Sequence, residues 1–375
     1  MRTALFVFGM VFSAGSTAHA GTRWDVRTSQ GFDALCALNL LSGDPYYLEQ
    51  YPDEAKEFAT PAYAPARKAV AELKRIIKDK NGGIVSAHLT LVLSGGPDST
   101  LAAVLASAQK PEKLKTSLRS SPYWSEESWN LFLEARAPLV RALEAMHRAG
   151  FESLWTKHLG HDAAARADML RRDLARYDVL GEEERLLGHE LQGGRIEVIL
   201  LWYSRPHGIR IQGERFLTNI GYPASIVLRN AVHEPMHPPF DKANPAVQAA
   251  IDSLSRDSLI QRIVAGHNPS FGYTTVAGYV EEDAVQALEQ VVSERLGVAV
   301  PAAERWRASD DGMHLLAAAL YDLMKESGFA ERGGTFASWF TKAVADGELA
   351  PRDLLRRARS VVGDEAVARW DGPVK

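Results

Sequence analysis

The sequence predicts an α+β protein that is predominantly helical, with a small antiparallel sheet packed beside one functional helix. Apolar residues recur every three or four positions over 33–41, 61–78 and 125–149, which is typical of amphipathic helices. They alternate with other residues over 196–202, which indicates a strand. Beyond residue 281 the helical spacing returns. The predicted order is therefore helices, a short β-rich stretch, and helices again.

The first twenty residues are typical of an export signal. Arg2 supplies a positive start, residues 4–14 form an apolar stretch, and Ala18-His19-Ala20 is a small-x-small cleavage sequence before Gly21. The apolar stretch is too short to span a bilayer, and no later segment approaches the roughly 20 apolar residues that a spanning helix needs. We therefore expect a signal peptide at 1–20 and a soluble mature protein in the periplasm or outside the cell.

Composition excludes several classes of protein. The chain has 375 residues, 46% of them hydrophobic and 24% charged, with a net charge of −4 and basic residues scattered along its length. No basic patch indicates nucleic-acid binding. Cys36 is the only cysteine, which excludes an intrachain disulfide and a cysteine zinc site. After the signal peptide, the pattern divides the chain into a helical region at 21–190, a core at 191–300 and a second helical region at 301–375.

Two β-rich runs precede the functional helix. The first covers 196–202, and the second covers 209–217. A loop at 204–208, Ser-Arg-Pro-His-Gly, joins them. We predict that the two runs pair as antiparallel strands.

The functional helix carries the motif His233-Glu234-Pro235-Met236-His237, an HExxH pattern. Two imidazoles four residues apart lie about one turn from each other on one helix face, so both can reach one metal ion. The carboxylate between them is placed to accept a proton from a water on that ion. Pro235 removes a helix hydrogen bond, and Pro238 disfavours helical geometry at His237, so the helix should kink or end at the motif.

A catalytic zinc ion needs a third protein ligand. Asp241 and His267 fit no defensible spacing. Glu281 and Glu282 lie at the start of a later amphipathic helix, where Glu281 shares a stripe with apolar residues and Glu282 shares one with polar residues. Burying a carboxylate on the apolar side is costly unless a metal neutralises it. We therefore predict Glu281 as the ligand, with Glu282 as the fallback.

These features together resemble the gluzincin-type zinc metallopeptidases: HExxH on one helix, a Glu on a later helix and a β-pair before the first. The resemblance is limited to motifs and covers about 195–296. It implies a zincin-like core, Zn²⁺ bound by His233, His237 and Glu281, and Glu234 as the residue that activates water. It also implies a peptide or protein substrate, which the strand at 209–217 would receive by edge pairing.

Other residues near the motif are candidates for supporting roles. Asn230 lies on the stripe of the two histidines, where it would orient one of them. Tyr273, Tyr279 and His267 are candidate donors of a hydrogen bond to the transition state.

A second motif competes with the first. Residues 94–99, Ser-Gly-Gly-Pro-Asp-Ser, follow an apolar segment predicted as a strand and resemble the phosphate loop of ATP pyrophosphatases. The same residues are also ordinary turn and helix-cap chemistry. The leading hypothesis is an exported zinc peptidase. The alternatives are a non-catalytic exported binding protein with a metallopeptidase-like fold and, third, an ATP-using enzyme.

Overall fold

The computed structural model describes residues 21–371 except 161, 192, 269 and 270. The predicted signal peptide, 1–20, lies outside the described residues. The chain is 66% helical and has one small mixed sheet, so it belongs to the predicted α+β class and is predominantly helical. None of the helices in the described part of the chain combines the length and the apolar character needed to cross a membrane.

The sheet has four strands in the order β1-β2-β4-β3: β1 Arg23–Thr28, β2 Arg195–Leu201, β3 Ile209–Ile211 and β4 Arg215–Asn219. The β1–β2 and β2–β4 pairs are parallel, and only the edge strand β3 is antiparallel to its neighbour. The predicted antiparallel pairing of 196–202 with 209–217 was therefore wrong. The second run folds back on itself through a turn at Gly213, which has a φ of +76° that favours glycine, and so forms two strands.

One helical layer covers the sheet face that carries Ile199, Leu201 and Leu217. Its helices come from the first part of the chain: α1 Gln30–Leu41, α2 Pro45–Leu48, α3 Pro52–Phe58, α4 Ala64–Lys74, α5 Val85–Leu93, α6 Leu101–Gln109, α7 Glu112–Arg119, α8 Glu126–Arg148 and α9 Phe151–Leu159. Cys36 is buried in this layer.

A second layer covers the opposite face, which carries Ile196, Val198, Leu200 and Phe216. Its helices are α10 Ala163–Leu174, α11 Val179–Leu187, α12 Ala224–His233, α13 Pro245–Leu254, α14 Ser258–Gly266, α15 Val276–Arg295, α16 Ala302–Ala308, α17 Leu315–Glu326, α18 Phe329–Arg332, α19 Phe336–Ala345, α20 Pro351–Val362 and α21 Asp364–Asp371. Because strand residues alternate between faces, the four strands supply side chains to both cores. The HExxH motif lies in this second layer.

The Ser-Gly-Gly-Pro-Asp-Ser loop does not follow a strand, because the apolar residues before it end helix α5. A Cβ on Gly95 would lie 2.7 Å from Ser117 Oγ, and one on Gly96 would lie 2.8 Å from Ser107 Oγ. Asp98 accepts two hydrogen bonds from Arg27, at 2.7 and 2.8 Å. The glycines therefore allow close packing against helices, and the carboxylate ties the loop to β1. The strand-loop-helix geometry required by the nucleotide hypothesis does not occur at these residues.

Asp33 connects α1 to the end of β2 and to α9. Its fully buried carboxylate accepts hydrogen bonds from Trp202 N at 2.8 Å, Tyr203 N at 2.7 Å and Trp155 Nε1 at 2.7 Å. Replacing Asp33 with Ala leaves these three donors without their acceptor. We expect the free energy of unfolding to fall by about 3–5 kcal/mol, measured by urea denaturation.

The exposed Asp53 provides the matched control, because Asp53→Ala removes a carboxylate that is paired only with a neighbouring surface lysine. Its effect on the urea midpoint should lie within the error of the measurement. Equal midpoints and slopes for the two variants would contradict the bridging role of Asp33.

Glu183 in α11 is fully buried, and neither of its carboxyl oxygens has a hydrogen-bond partner among the residues that the structure describes. Burial, together with the nearby Glu214 and Glu184, raises the pKa of Glu183 well above its ordinary value. Because the folded state binds this proton more tightly than the unfolded state, the stabilisation is complete at low pH. It is lost as the pH rises above the unfolded pKa of about 4.3.

We therefore expect Glu183→Gln to remove this part of the pH dependence and to raise the free energy of unfolding at pH 8 by about 1–2 kcal/mol. Urea unfolding from pH 4 to pH 8 measures both effects. Glu190→Gln, on the exposed end of the same segment, should leave the pH profile unchanged. A wild-type profile that rises with pH in parallel with that of Glu183→Gln would refute this assignment.

Candidate metal site

The local sequence ends helix α12 inside the HExxH motif, as the two prolines predicted. The α-helix stops at His233, and Glu234–Met236 continues as one turn of 3₁₀ helix because Pro235 cannot donate to the carbonyl of Ala231. His237 is extended, with φ −84° and ψ 133°, and Pro238 follows it directly. His237 therefore lies beyond the end of the α-helix, and the 3₁₀ turn sets its position.

The two imidazoles converge despite this break. Their Nε2 atoms are 3.1 Å apart. Glu282 of α15 lies opposite them, with Oε1 3.6 Å from His233 Nε2 and Oε2 3.5 Å from His237 Nε2. A tetrahedral ion with bonds of about 2.0–2.1 Å separates its ligand atoms by roughly 3.3–3.4 Å. The three side chains, which offer donor atoms within 4.8 Å of one another, therefore fit a single divalent ion.

Glu282, the fallback choice, completes this group, whereas Glu281, the first choice, lies outside it at His237 Nδ1. The prediction of Glu281 required one side of α15 to face solvent. In the structure α15 runs through the interior, and both Glu282 and Glu289 of the supposedly polar stripe are buried. When a helix is covered on all sides, its polar stripe marks the position of a buried polar site.

Each histidine is held by a second carboxylate at its other ring nitrogen. Glu289 Oε2 lies 2.8 Å from His233 Nδ1, and Glu281 Oε1 lies 3.3 Å from His237 Nδ1. Glu289 is also paired with Arg305, and Glu281 is paired with Lys242. A carboxylate that accepts from Nδ1–H fixes the tautomer in which Nε2 carries the lone pair for a metal. Glu281 thus orients the imidazole of His237.

The same carboxylates dominate the electrostatics of the site. Burial lowers the pKa of His233, but Glu282 and Glu289 outweigh it and raise that pKa to about 9. Burial raises the pKa of Glu289, whereas Arg305 and His233 oppose it and bring that pKa to about 2. Positive charge is therefore favoured at the centre of the group. A divalent cation would be stabilised there in the same way.

Asn230 does not orient a histidine, which corrects its predicted role. Its amide donates to Thr218 Oγ1 of β4 at 3.0 Å. This bond holds α12 against the sheet, and the orienting function belongs to Glu281 and Glu289.

Glu234 lies between the histidines and the edge strand. Burial raises its pKa, while His233 and His237 lower it in part. The loop before β3 passes close to this carboxylate, so that a Cβ on Gly208 would lie 2.8 Å from Glu234 Oε1. The absence of a side chain at Gly208 therefore leaves space for the Glu234 carboxylate. A carboxylate that is partly shielded from water and has a raised pKa is suited to take up and release a proton.

The three candidate donors have different locations. Tyr279 is outside the site, because its buried hydroxyl donates to Met313 O at 2.9 Å. His267 is outside it as well, since its ring nitrogens lie 3.1 Å from Ile263 O and 2.6 Å from Gly272 O and so anchor a loop. Tyr273 is at the site. Burial raises its pKa well above the ordinary value, and the neighbouring Glu282 carboxylate adds to this shift.

Two further residues beside the site were not anticipated from the sequence. Arg210, the central residue of β3, has its guanidinium 4.6 Å from the centre of the Tyr123 ring. Burial lowers the pKa of Arg210 to about 9, which Glu234 and Glu281 partly oppose. Tyr123 donates to His237 O at 2.8 Å and so fixes the end of the motif. The feature of the sequence that could have indicated Arg210 is a charged residue between two isoleucines.

Comparisons with known proteins add no further assignment. No protein-family model, curated protein or solved structure matches this chain. Function must therefore be argued from the geometry of the site.

Proposed function

We propose that the protein is an exported zinc-dependent hydrolase that cleaves peptide bonds. The observation that carries this proposal is the convergence of His233, His237 and Glu282 on one position, with Glu234 of the HExxH turn beside it. Two imidazoles and one carboxylate suit zinc, and three protein ligands leave a fourth position for a water molecule. The export sequence at 1–20 supports an address outside the cytoplasm.

The roles of the residues follow from their positions. A bound zinc ion supplies Lewis acidity toward water and a peptide carbonyl. Glu234 accepts the proton of the attacking water and then donates it to the leaving nitrogen. Glu289 and Glu281 keep the imidazoles in the ligand tautomer. Tyr273, which neighbours Glu282, would donate a hydrogen bond to the developing oxyanion.

The position of β3 supports a peptide as the substrate. β3 is the edge strand of the sheet and packs beside the turn that carries Glu234. An extended peptide that pairs with such an edge would run past the candidate site. The gluzincin resemblance, which rests on the same motif, agrees with this substrate class.

The interrupted helix favours a second function, a non-catalytic exported binding protein. The 3₁₀ turn at Pro235 departs from the continuous helix that HExxH normally occupies. Under this alternative the histidines and Glu282 still form a polar cluster, but Glu234 has no chemical role. Substitution of Glu234, discussed below, separates the two functions.

Metal analysis of the purified mature protein tests the proposal directly. We expect about one zinc ion per chain, and we expect none in the His233→Ala/His237→Ala double variant, because two of the three donors are lost. The control is His147→Ala/His189→Ala, which removes two exposed histidines and should keep the full zinc content. Zinc retained at wild-type level after loss of His233 and His237 would overturn the proposal.

A further inference from the structure

Arg210 is a buried charged side chain, and two of its nitrogens have no hydrogen-bond acceptor among the described residues. Its Nε and Nη1 atoms are completely buried, and neither has an acceptor among the described residues. Buried guanidinium groups are normally paired, because leaving a charged donor unsatisfied costs several kcal/mol. No other arginine in the described part of the chain has two buried nitrogens in this state. The arrangement calls for an acceptor that the chain itself does not provide.

The position of Arg210 shows which region that acceptor would occupy. Ile209 and Ile211 face the first helical layer, so Arg210 faces the second layer, where the HExxH turn lies. β3 packs against that turn. The carboxylates of Glu234 and Glu281 attract the guanidinium electrostatically without hydrogen-bonding to Nε or Nη1. The free donors therefore lie next to the candidate catalytic group.

The contact with Tyr123 fixes the guanidinium in this place. The ring stacks under the charge at 4.6 Å, and the Tyr123 hydroxyl holds the carbonyl of His237. A planar guanidinium supported by an aromatic ring is a preorganised receptor for a carboxylate. Because Tyr123 contacts both Arg210 and the motif, the receptor and the metal group are held at a constant separation.

We propose that Arg210 binds a carboxylate of the substrate beside the bond to be cleaved, so that the site selects peptides with an anionic group at that position. This inference rests on the proposed function. Two sources supply such a carboxylate: the free C-terminus of a peptide and the side chain of Asp or Glu. An anion there also offsets the positive charge of Arg210.

Paired peptides test the inference. The first pair is N-acetyl-Ala-Ala-Phe and its C-terminal amide. The second pair is N-acetyl-Ala-Glu-Phe-amide and N-acetyl-Ala-Gln-Phe-amide. We expect kcat/KM to be at least about 10²-fold higher for one carboxylate-bearing peptide than for its neutral partner. The first pair identifies the C-terminus as the source, and the second identifies an acidic side chain. Equal rates within both pairs would overturn the inference. Because this comparison uses the wild-type protein, it holds even if substitution of Arg210 prevents folding.

Arg210→Met, which keeps the volume but removes the charge, should abolish the preference, so that kcat/KM becomes equal within each pair. Arg210→Lys should restore part of it. A uniform loss over all peptides in Arg210→Met would instead assign Arg210 to the oxyanion and refute carboxylate selection. As a control, Arg148→Met, at an exposed position of α8, should leave every rate unchanged.

Binding separates failure of this inference from failure of the proposed function. Calorimetry with N-acetyl-Ala-Ala-Phe, N-acetyl-Ala-Glu-Phe-amide and their neutral partners is performed on zinc-loaded and zinc-free protein. A carboxylate preference in binding, together with no hydrolysis of any of these peptides by the zinc-loaded protein, would support Arg210 and contradict the peptidase proposal. Hydrolysis with one zinc per chain but no preference in either pair would support the peptidase and contradict the role of Arg210.

Discussion

Replacing Glu282 with Gln should weaken zinc binding by more than about 10²-fold, whereas Glu281→Gln should weaken it by roughly 10–100-fold. The reason lies in the different positions of the two carboxylates. Glu282 faces both Nε2 atoms, from which a ligand bond would form. Glu281 faces only His237 Nδ1 and acts through that ring. Competition titration with a chromogenic chelator at pH 7.5 measures both affinities.

The neighbouring residues make this comparison well controlled. Both variants remove one charge from adjacent positions of α15, so a general electrostatic effect would be similar for the two. Glu304→Gln, at an exposed position of α16, should leave the affinity unchanged. If Glu281→Gln proved the more damaging substitution, the stripe-based choice of ligand would be restored and the group that contains Glu282 rejected.

The convergence of the two histidine side chains of the motif was predictable because it depends on local geometry. A spacing of four residues brings two side chains close together on almost any helical turn, and it does so here even though Pro235 changes the last turn to 3₁₀. The effect of the prolines was also predictable, since each acts on its immediate neighbours. The third ligand was not, because its choice depended on how much of α15 is buried. Burial is a property of the whole fold.

The pairing of the sheet strands was also not predictable from local sequence. Strand β2 was visible as an apolar alternation, but its partner β1 lies about 170 positions earlier and carries charged residues at every second position. Parallel pairing over such a distance leaves no trace in local spacing. Arg210 was overlooked for a related reason, because only the placement of β3 at the sheet edge beside the HExxH turn brings it to the site.

Substitution of Glu234 by Gln should lower kcat/KM for peptide hydrolysis by about 10³-fold, within the range expected for loss of a general base. Gln has nearly the same shape and fits beside Gly208, but its amide cannot accept the proton of the attacking water. Because Glu234 is not among the three donors, the zinc content should stay at the wild-type value. The measurements are steady-state cleavage of a fluorogenic peptide and metal analysis of the same sample.

This substitution also decides between the two candidate functions. In a binding protein Glu234 has no chemical role, so Glu234→Gln would leave cleavage at the same background level as the wild type. In a peptidase it separates chemistry from metal binding, because activity falls while zinc remains. Asp241→Asn, an exposed carboxylate shortly after the motif, should change neither quantity and so controls for local charge. Loss of activity together with loss of zinc would mean that Glu234 supports the metal group itself, and the assignment of a general base would then fail.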